Sequence, residues 1–180
     1  DGDLTVYGAG TTTTFNGGVI TADSIEYNDA IILSDGVTQT LTSTLGGITL
    51  QNPGNVNGST GPGTEHFILN SSGNVFIGGR IGEVVPLDYL TINAQDNVTF
   101  GNTVVVAGDL VITDAAQVTF GSDVIVLGNL IIGDSADLSR IEGVTFATGA
   151  ELNVSGNVEI YTEGVVEFRA NIGRDYQAVN

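Results

Sequence analysis

Six aspartates, Asp96, Asp109, Asp114, Asp123, Asp134 and Asp137, sit in or beside Gly-, Asn- and Ser-containing turns. Turns that stack on one another would bring carboxylate and carbonyl oxygens together, the donor set that hard Ca²⁺ takes. The chain has neither the Gly-Gly-x-Gly-x-Asp nonapeptide nor an EF-hand loop. Aspartate is also ordinary turn chemistry, and it keeps an extended protein soluble. The expectation is therefore no bound metal and no cofactor. Asp96, Asp109, Asp114 and Asp134 mark where calcium would bind if it did.

The other reactive side chains are sparse. Lys+Arg is 4 against Asp+Glu 21, and all four cations are arginine: Arg80, Arg140, Arg169 and Arg174. A polysaccharide-active enzyme needs carboxylates grouped with Arg or Lys, or a carboxylate pair at a set separation. Here the arginines are scattered. His66 is the sole histidine and lies at the end of a polar stretch, so no Ser-His-Asp set is supported. Zero Cys removes disulfides, thiolate metal sites and a thiol nucleophile. The chain is read as not an enzyme. Four Asn-x-Ser/Thr sequons begin at Asn57, Asn70, Asn97 and Asn153, no more than chance gives in a chain this rich in Asn, Ser and Thr.

A formal charge of −17 on 180 residues argues against nucleic acid and anionic membrane as partners. A mean hydropathy of +0.23 argues against disorder. No apolar run approaches the ~20 residues of a spanning helix. The start at Asp1-Gly2-Asp3, with no Met, leads us to expect a processed product or a piece of something longer.

What positions these residues is a repeat. Segments 90–109 (LTINAQDNVTFGNTVVVAGD) and 110–129 (LVITDAAQVTFGSDVIVLGN) are identical at nine of 20 positions, including Val98/Val118, Phe100/Phe120, Val104/Val124 and Gly108/Gly128. Segment 130–151 keeps Leu130, Ile132, Leu138, Val144 and Phe146. A further copy starts at Leu152 with Val154, Val158 and Ile160, and Val166 and Phe168 follow. Upstream, Phe67, Leu69, Val75, Ile77 and Ile81 hold the same roles. The steps between units are then 23, 20, 20 and 22 residues.

Each unit holds three runs of three or four residues with period-2 alternation, such as Leu90–Ile92, Val98–Phe100 and Val104–Val106. Strands that short cannot build a sandwich. Stacked in register on equivalent strands they make three parallel sheets around a narrow apolar core. The expected fold is all-β, a right-handed parallel β-helix of about 20–23 residues per coil. Seven or eight coils at the inter-strand spacing would run ~35–40 Å. Phe100 over Phe120 should start an aromatic stack that Phe146 extends. Arg140 falls where a Phe is expected, which reads as a bulge with Ile141 inward and Arg140 in solvent.

One continuous domain results. Residues 1–66 are irregular N-terminal coils, with 52–65 (NPGNVNGSTGPGTE) a protruding loop. Residues 67–169 are regular coils, and 170–180 a tail carrying Arg174 together with Tyr176. Columns of threonine (Thr99, Thr119, Thr145) fit an outward strand face. An ice-binding array needs a second regular column, whereas Thr91, Val111, Ile131 and Asn153 vary.

Four stretches, TTTTFNGGV (11–19), SIEYNDAIILSDGVTQTLT (24–42), SGNVFIGGRIGEVVPLDYLTINAQDNVTFGN (72–102) and QVTFGSDVIV (117–126), resemble the repeats of filamentous-haemagglutinin-like giant exported proteins of Gram-negative cells. The resemblance covers nearly the whole chain. It implies a right-handed β-helix, surface display, and adhesion or a fibre or biofilm role, and it carries over no catalytic residues.

The function expected is a structural or adhesive segment of an extracellular surface protein. Its partner would be itself or adjoining repeats stacked end to end. The alternative is a module that binds glycans or a surface through the loop at 52–66. A polysaccharide-active β-helix stands behind both.

Overall fold

The computed structural model describes residues 2–8, 10–51, 55–60 and 64–173. The chain is all-β, 56% strand, and winds into a β-solenoid of about seven turns. Every turn passes three sheets in the same order, and all pairing between named strands is parallel.

The first sheet takes Leu4–Val6, Ile25–Tyr27, Ile48–Leu50, Val75–Ile77, Val98–Phe100, the end of Leu110–Phe120, the end of Ile141–Phe146, and Val165–Phe168. The second holds Thr12–Phe15, Ala30–Leu33 and Val56–Gly58, then Val104–Val106, Val124–Val126, Glu151–Val154 and Asn171–Ile172. The third runs from Gly18–Ala22 through Thr38–Ser43, His66–Ser71 and Tyr89–Ala94. It continues in the start of Leu110–Phe120, Leu130–Ile132 and Val158–Ile160. Leu110–Phe120 turns the corner from third sheet to first without a break.

Alternation dictates this. In Val98–Phe100 and Val104–Val106 the outer two residues are buried and the middle one half-exposed. Inward columns of Leu, Ile, Val and Phe therefore run along the axis. Phe100, Phe120, Phe146 and Phe168 stack at 4.9 Å between successive rings, nearly coplanar. Each fully buried side chain of this size contributes about 1.5–3 kcal/mol. Where the third sheet turns into the first, the inward residues are small: Ala22, Ser43, Ser71 and Ala94 stand in register. Their two hydroxyls are satisfied, Ser43 Oγ donating to the Gly46 carbonyl at 2.9 Å and Ser71 Oγ to that of Asn74 at 3.1 Å.

The coils are less even than 20–23 residues. Val98 faces Val118 at the expected step of 20, but Ile48 faces Val75, 27 residues on, and Val118 faces Val144, 26 on. The final repeat has a different phase from the one read in the sequence. Leu152 and Val154 stack on Val124 and Val126, while Val158 and Ile160 stack on Leu130 and Ile132, a step of 28. Six of the eight extra residues come with the excursion Gly133–Arg140 and two with the corner between Phe146 and Leu152. Gly133 opens it at φ +88°, where any side chain would also collide with the Tyr161 carbonyl. Leu138, expected in the core, sits on this excursion and is exposed. Arg140 is exposed and Ile141 buried opposite Ala115, as the bulge requires.

Within 52–65 the structure holds a strand. Val56–Gly58 pairs with Ala30–Leu33, and Val56 is fully buried. Residues 52–54 and 61–63 of the expected loop lie outside the described residues. Above Val56 the second sheet continues through single bridges at Ile81 and Leu87. Asn171–Ile172 extends the second sheet into the expected tail. Arg174 and Tyr176 lie outside the described residues.

Candidate functional site

The calcium candidates do not converge. Asp96 and Asp114 lie at the corner between third and first sheets, Asp109 at the corner between second and third, and Asp134 on the excursion. Asp114 is engaged by Arg140 at 2.6 Å, and Arg140 also reaches Asp137 at 3.3 Å. Asp134 Oδ1 accepts from the Ala136 amide at 2.8 Å, closing its own turn. Asp123 Oδ1 accepts from the Glu151 amide at 2.9 Å. Among the described residues no three His, Asp or Glu side chains group as a metal site would.

Asp109 belongs instead to a ladder. Its Oδ1 accepts from the Asn129 backbone amide at 2.7 Å and from Asn129 Nδ2 at 3.0 Å. One coil on, Asn129 Oδ1 accepts from the Asn157 amide at 2.9 Å. A glycine precedes each of these residues. The Gly128 amide donates to the Gly108 carbonyl at 3.0 Å, and that of Gly156 to the Gly128 carbonyl at 2.9 Å. A Cβ on Gly156 would fall 2.5 Å from the Gly128 carbonyl oxygen and 2.6 Å from Asn129 Oδ1. The Gly-Asp/Asn pairs thus satisfy the corner's backbone donors where the sheets cannot. The identity of Gly108 and Gly128 at a shift of 20 was the available signal.

The remaining polar groups are dispersed. Arg80 pairs with Glu83 on the surface, and Arg169 with Glu167 at 2.7 Å. His66 packs its ring on Tyr89 with centroids 4.3 Å apart. Glu65 is fully buried. Its carboxylate accepts from the amides of Ser59 and Thr64 at 3.3 and 3.1 Å, and so holds the two ends of that segment. Asp29, also buried, takes the Thr13 hydroxyl at 2.6 Å on one oxygen and leaves Oδ1 without a partner among the described residues. Neither buried carboxylate was distinguishable in the sequence from the exposed ones. Burial, and then the nearby Asp29 charge, push the Tyr27 phenol above its ordinary value. The hydrogen bond to Glu159 does the same for the half-buried Tyr161. Thr99, Thr119 and Thr145 form the expected outward column, which continues into Glu167. Beside it Thr91, Val111 and Ile131 lead to Glu159 rather than Asn153.

The feature that sets this molecule apart from a closed domain is at its ends. Among the described residues the coil from Leu4 to Ala22 pairs on one side: Leu4–Val6 with Ile25–Tyr27, Thr12–Phe15 with Ala30–Leu33, and Gly18–Ala22 with Thr38–Ser43. Tyr7 and Val19 are 83% and 70% exposed. At the opposite end Val158–Ile160, Val165–Phe168 and Asn171–Ile172 likewise pair on one side among the described residues. There Val165 and Ile172 are 73% and 62% exposed, and Phe168 tops the aromatic stack at 42%. Among the described residues, each end presents strand edges without a strand partner around an apolar section.

Comparison of the chain with models of known protein families, with curated proteins and with solved structures finds no match, so the fold and the placement of its residues carry the functional reading.

Proposed function

We propose that this solenoid is a structural, adhesive segment of a bacterial surface protein or fibre outside the cell. Its coils are continued end to end by further coils of the same polypeptide or of a neighbouring subunit. The observation that carries the reading is the open aromatic column: Phe120 and Phe146 each lie between two rings, Phe100 between Ile77 and a ring, and Phe168 against one ring among the described residues. A coil that keeps its core apolar up to the last strand and exposes it there is suited to a next coil. The acidic lateral surface supports the same role, because a charge of −17 opposes side-by-side bundling while leaving axial contacts available. The resemblance of its repeats to those of giant exported proteins supports the location.

Electron microscopy of the native material tests the proposal, together with sizing of the 180-residue chain over a wide concentration range. Rods whose width is one solenoid, and a mass that grows with concentration, are expected. Globular particles in the native material, together with a monomer at every concentration, would remove the proposal.

A further inference from the structure

We infer that the outward face of the third sheet, across Thr38–Ser43, His66–Ser71 and Tyr89–Ala94, binds a neutral oligosaccharide. The sugar stacks on His66 and Tyr89 at one end of the face and is hydrogen-bonded by Asn70 and Asn93 at the other. The site gives the adhesive part of the reading above a ligand class and a place. It stands apart from whatever continues either end, because all three strands are paired on both sides within the described coils.

Register builds the face. Thr38, His66 and Tyr89 stand side by side in one row, and Thr42, Asn70 and Asn93 in another, with a row of two threonines and Ile68 between them. Alternation with buried neighbours turns all of these side chains outward. Rows two residues apart and coils at the inter-strand spacing give a grid of ~13 by ~10 Å, room for roughly two or three sugar rings. The grid contains no Asp, Glu, Lys or Arg, in a chain with 21 acidic residues. The outward column of the first sheet, by contrast, includes Glu26 and Glu167.

The two outer rows have different chemistry. His66 and Tyr89 are half-buried, with ring centroids 4.3 Å apart, and offer an aromatic surface for the C–H face of a pyranose. Asparagine is disfavoured in strands, yet Asn70 and Asn93 are adjacent in this sheet. Elsewhere such amides join coils: Asn57 Oδ1 accepts from the Val84 amide at 3.0 Å, Asn74 Oδ1 accepts from that of Asn97 at 3.1 Å, and Asn102 Nδ2 donates to the Gly78 carbonyl at 3.1 Å. The side chains of Asn70, Asn93 and Gln95 make no hydrogen bond among the described residues. Each therefore offers two donors and an acceptor, which match neighbouring sugar hydroxyls. Together with Ser72 they line a shallow hollow of about 220 Å³. Charge selects the class of sugar. A net charge of −17 repels carboxylated and sulfated chains, and the grid has no Arg or Lys to pair with them. A protein partner would want an apolar centre, whereas Ile68 is the one aliphatic side chain of the grid. In-register rows suit an extended ribbon of equatorially linked hexoses, whose flat ring faces stack and whose hydroxyls point sideways.

Titration calorimetry of the 180-residue chain tests the site, with cellotetraose and mannotetraose as neutral probes and tetragalacturonate as the anionic one. Binding of a neutral probe and none of the anionic one is expected. Tyr89→Thr and Asn93→Ser, both outward changes, are each expected to weaken binding by about tenfold or more, whereas Thr119→Ser on the first sheet leaves it unchanged. Asn70→Ser takes the place of Tyr89→Thr if that variant fails to fold, as read by circular dichroism. Sizing of the same variants should match the wild-type chain, so a failure of this site is distinct from a failure of end-to-end continuation. No binding of either neutral probe overturns the site. Equal binding of tetragalacturonate overturns the neutral class. Binding that survives in folded Asn93→Ser and its partner variant puts the sugar elsewhere and overturns the placement.

Discussion

Asp109 Oδ1 accepts two hydrogen bonds from Asn129, one from its backbone amide at 2.7 Å and one from its side chain at 3.0 Å. A residue whose type and position suggest cation binding is thereby fully used in joining one coil to the next. Asp109→Ala leaves the Asn129 amide without its acceptor and is expected to lower stability by about 1–3 kcal/mol. Asp109→Asn keeps an oxygen in place and loses less. Chemical denaturation followed by circular dichroism measures both, and equal losses for the two variants would contradict the ladder.

The same geometry bears on calcium. Asp96, Asp109, Asp114 and Asp134 occupy separate places, and Asp114, Asp134 and the nearby Asp123 already serve Arg140, Ala136 and Glu151 in turn. Adding millimolar Ca²⁺, or removing it with a chelator, is expected to leave the melting temperature unchanged within a degree or so. A rise of several degrees with Ca²⁺ would show that the carboxylates are brought together in a way this structure does not have.

Glycine positions at the corners separate close approach from turn propensity. A Cβ on Gly128 would lie 2.5 Å from Asp109 Oδ1, with the Gly108 carbonyl nearer still, whereas at Gly101 the nearest atom is at 3.5 Å. Gly128→Ala must push two coils apart and is expected to cost more than about 2 kcal/mol, while Gly101→Ala stays within about 0.5 kcal/mol. Thermal unfolding of the two single variants makes the comparison. Similar losses would mean that the corner yields without strain.

The sequence made the architecture legible where the coils repeat at constant phase. Between Leu90 and Ile132 the step of 20 holds, and each inward residue read there is inward. It failed where insertions moved the phase. After Ile132 the excursion Gly133–Arg140 adds six residues to the step of 20 (Val118 opposite Val144) and the corner before Leu152 adds two more, giving 28 (Leu130 opposite Val158), so a copy read from Leu152 falls across a corner. Val56 was hidden because one apolar residue among Asn and Gly shows no period, yet pairing with Ile31 buries it completely. Asp29 is buried against Thr13 on the preceding coil and Glu65 where its segment folds back onto Ser59, and neither arrangement left a periodic trace in the sequence.

Tyr27 gives the chain an alkaline sensitivity. Burial, reinforced by Asp29, raises its pKa above the ordinary value of 10.0. A group raised in the folded state contributes stability below its unfolded value and loses it as pH climbs through the folded one. Stability is therefore expected to fall above pH ~10, and less steeply in Tyr27→Phe, which has no phenol to ionise. Denaturant midpoints between pH 8 and pH 12 report this. Identical slopes for the wild-type chain and Tyr27→Phe would place the alkaline transition elsewhere.

In a solenoid each coil touches only its neighbours, so the cost of a core truncation depends on how many neighbours it has. Phe120 lies between Phe100 and Phe146 at 4.9 Å from each ring and is fully buried. Phe168 stacks on Phe146 alone among the described residues and is 42% exposed. Phe120→Ala is expected to cost about 3–5 kcal/mol. The Phe168→Ala loss should be under half of that in the dilute chain, because half of its contact area is already in water. Phe120 and Phe168 do not stack on each other but share Phe146, so their double variant should depart less from additivity than Phe100→Ala with Phe120→Ala, whose rings are in direct contact. Once chains stack, Phe168 acquires a second neighbour, and its truncation should become more costly as concentration rises while that of Phe120 stays fixed. Calorimetry of the single variants at low and high protein concentration separates these cases. A Phe168→Ala cost that ignores concentration would place the end of the aromatic column outside any contact between chains.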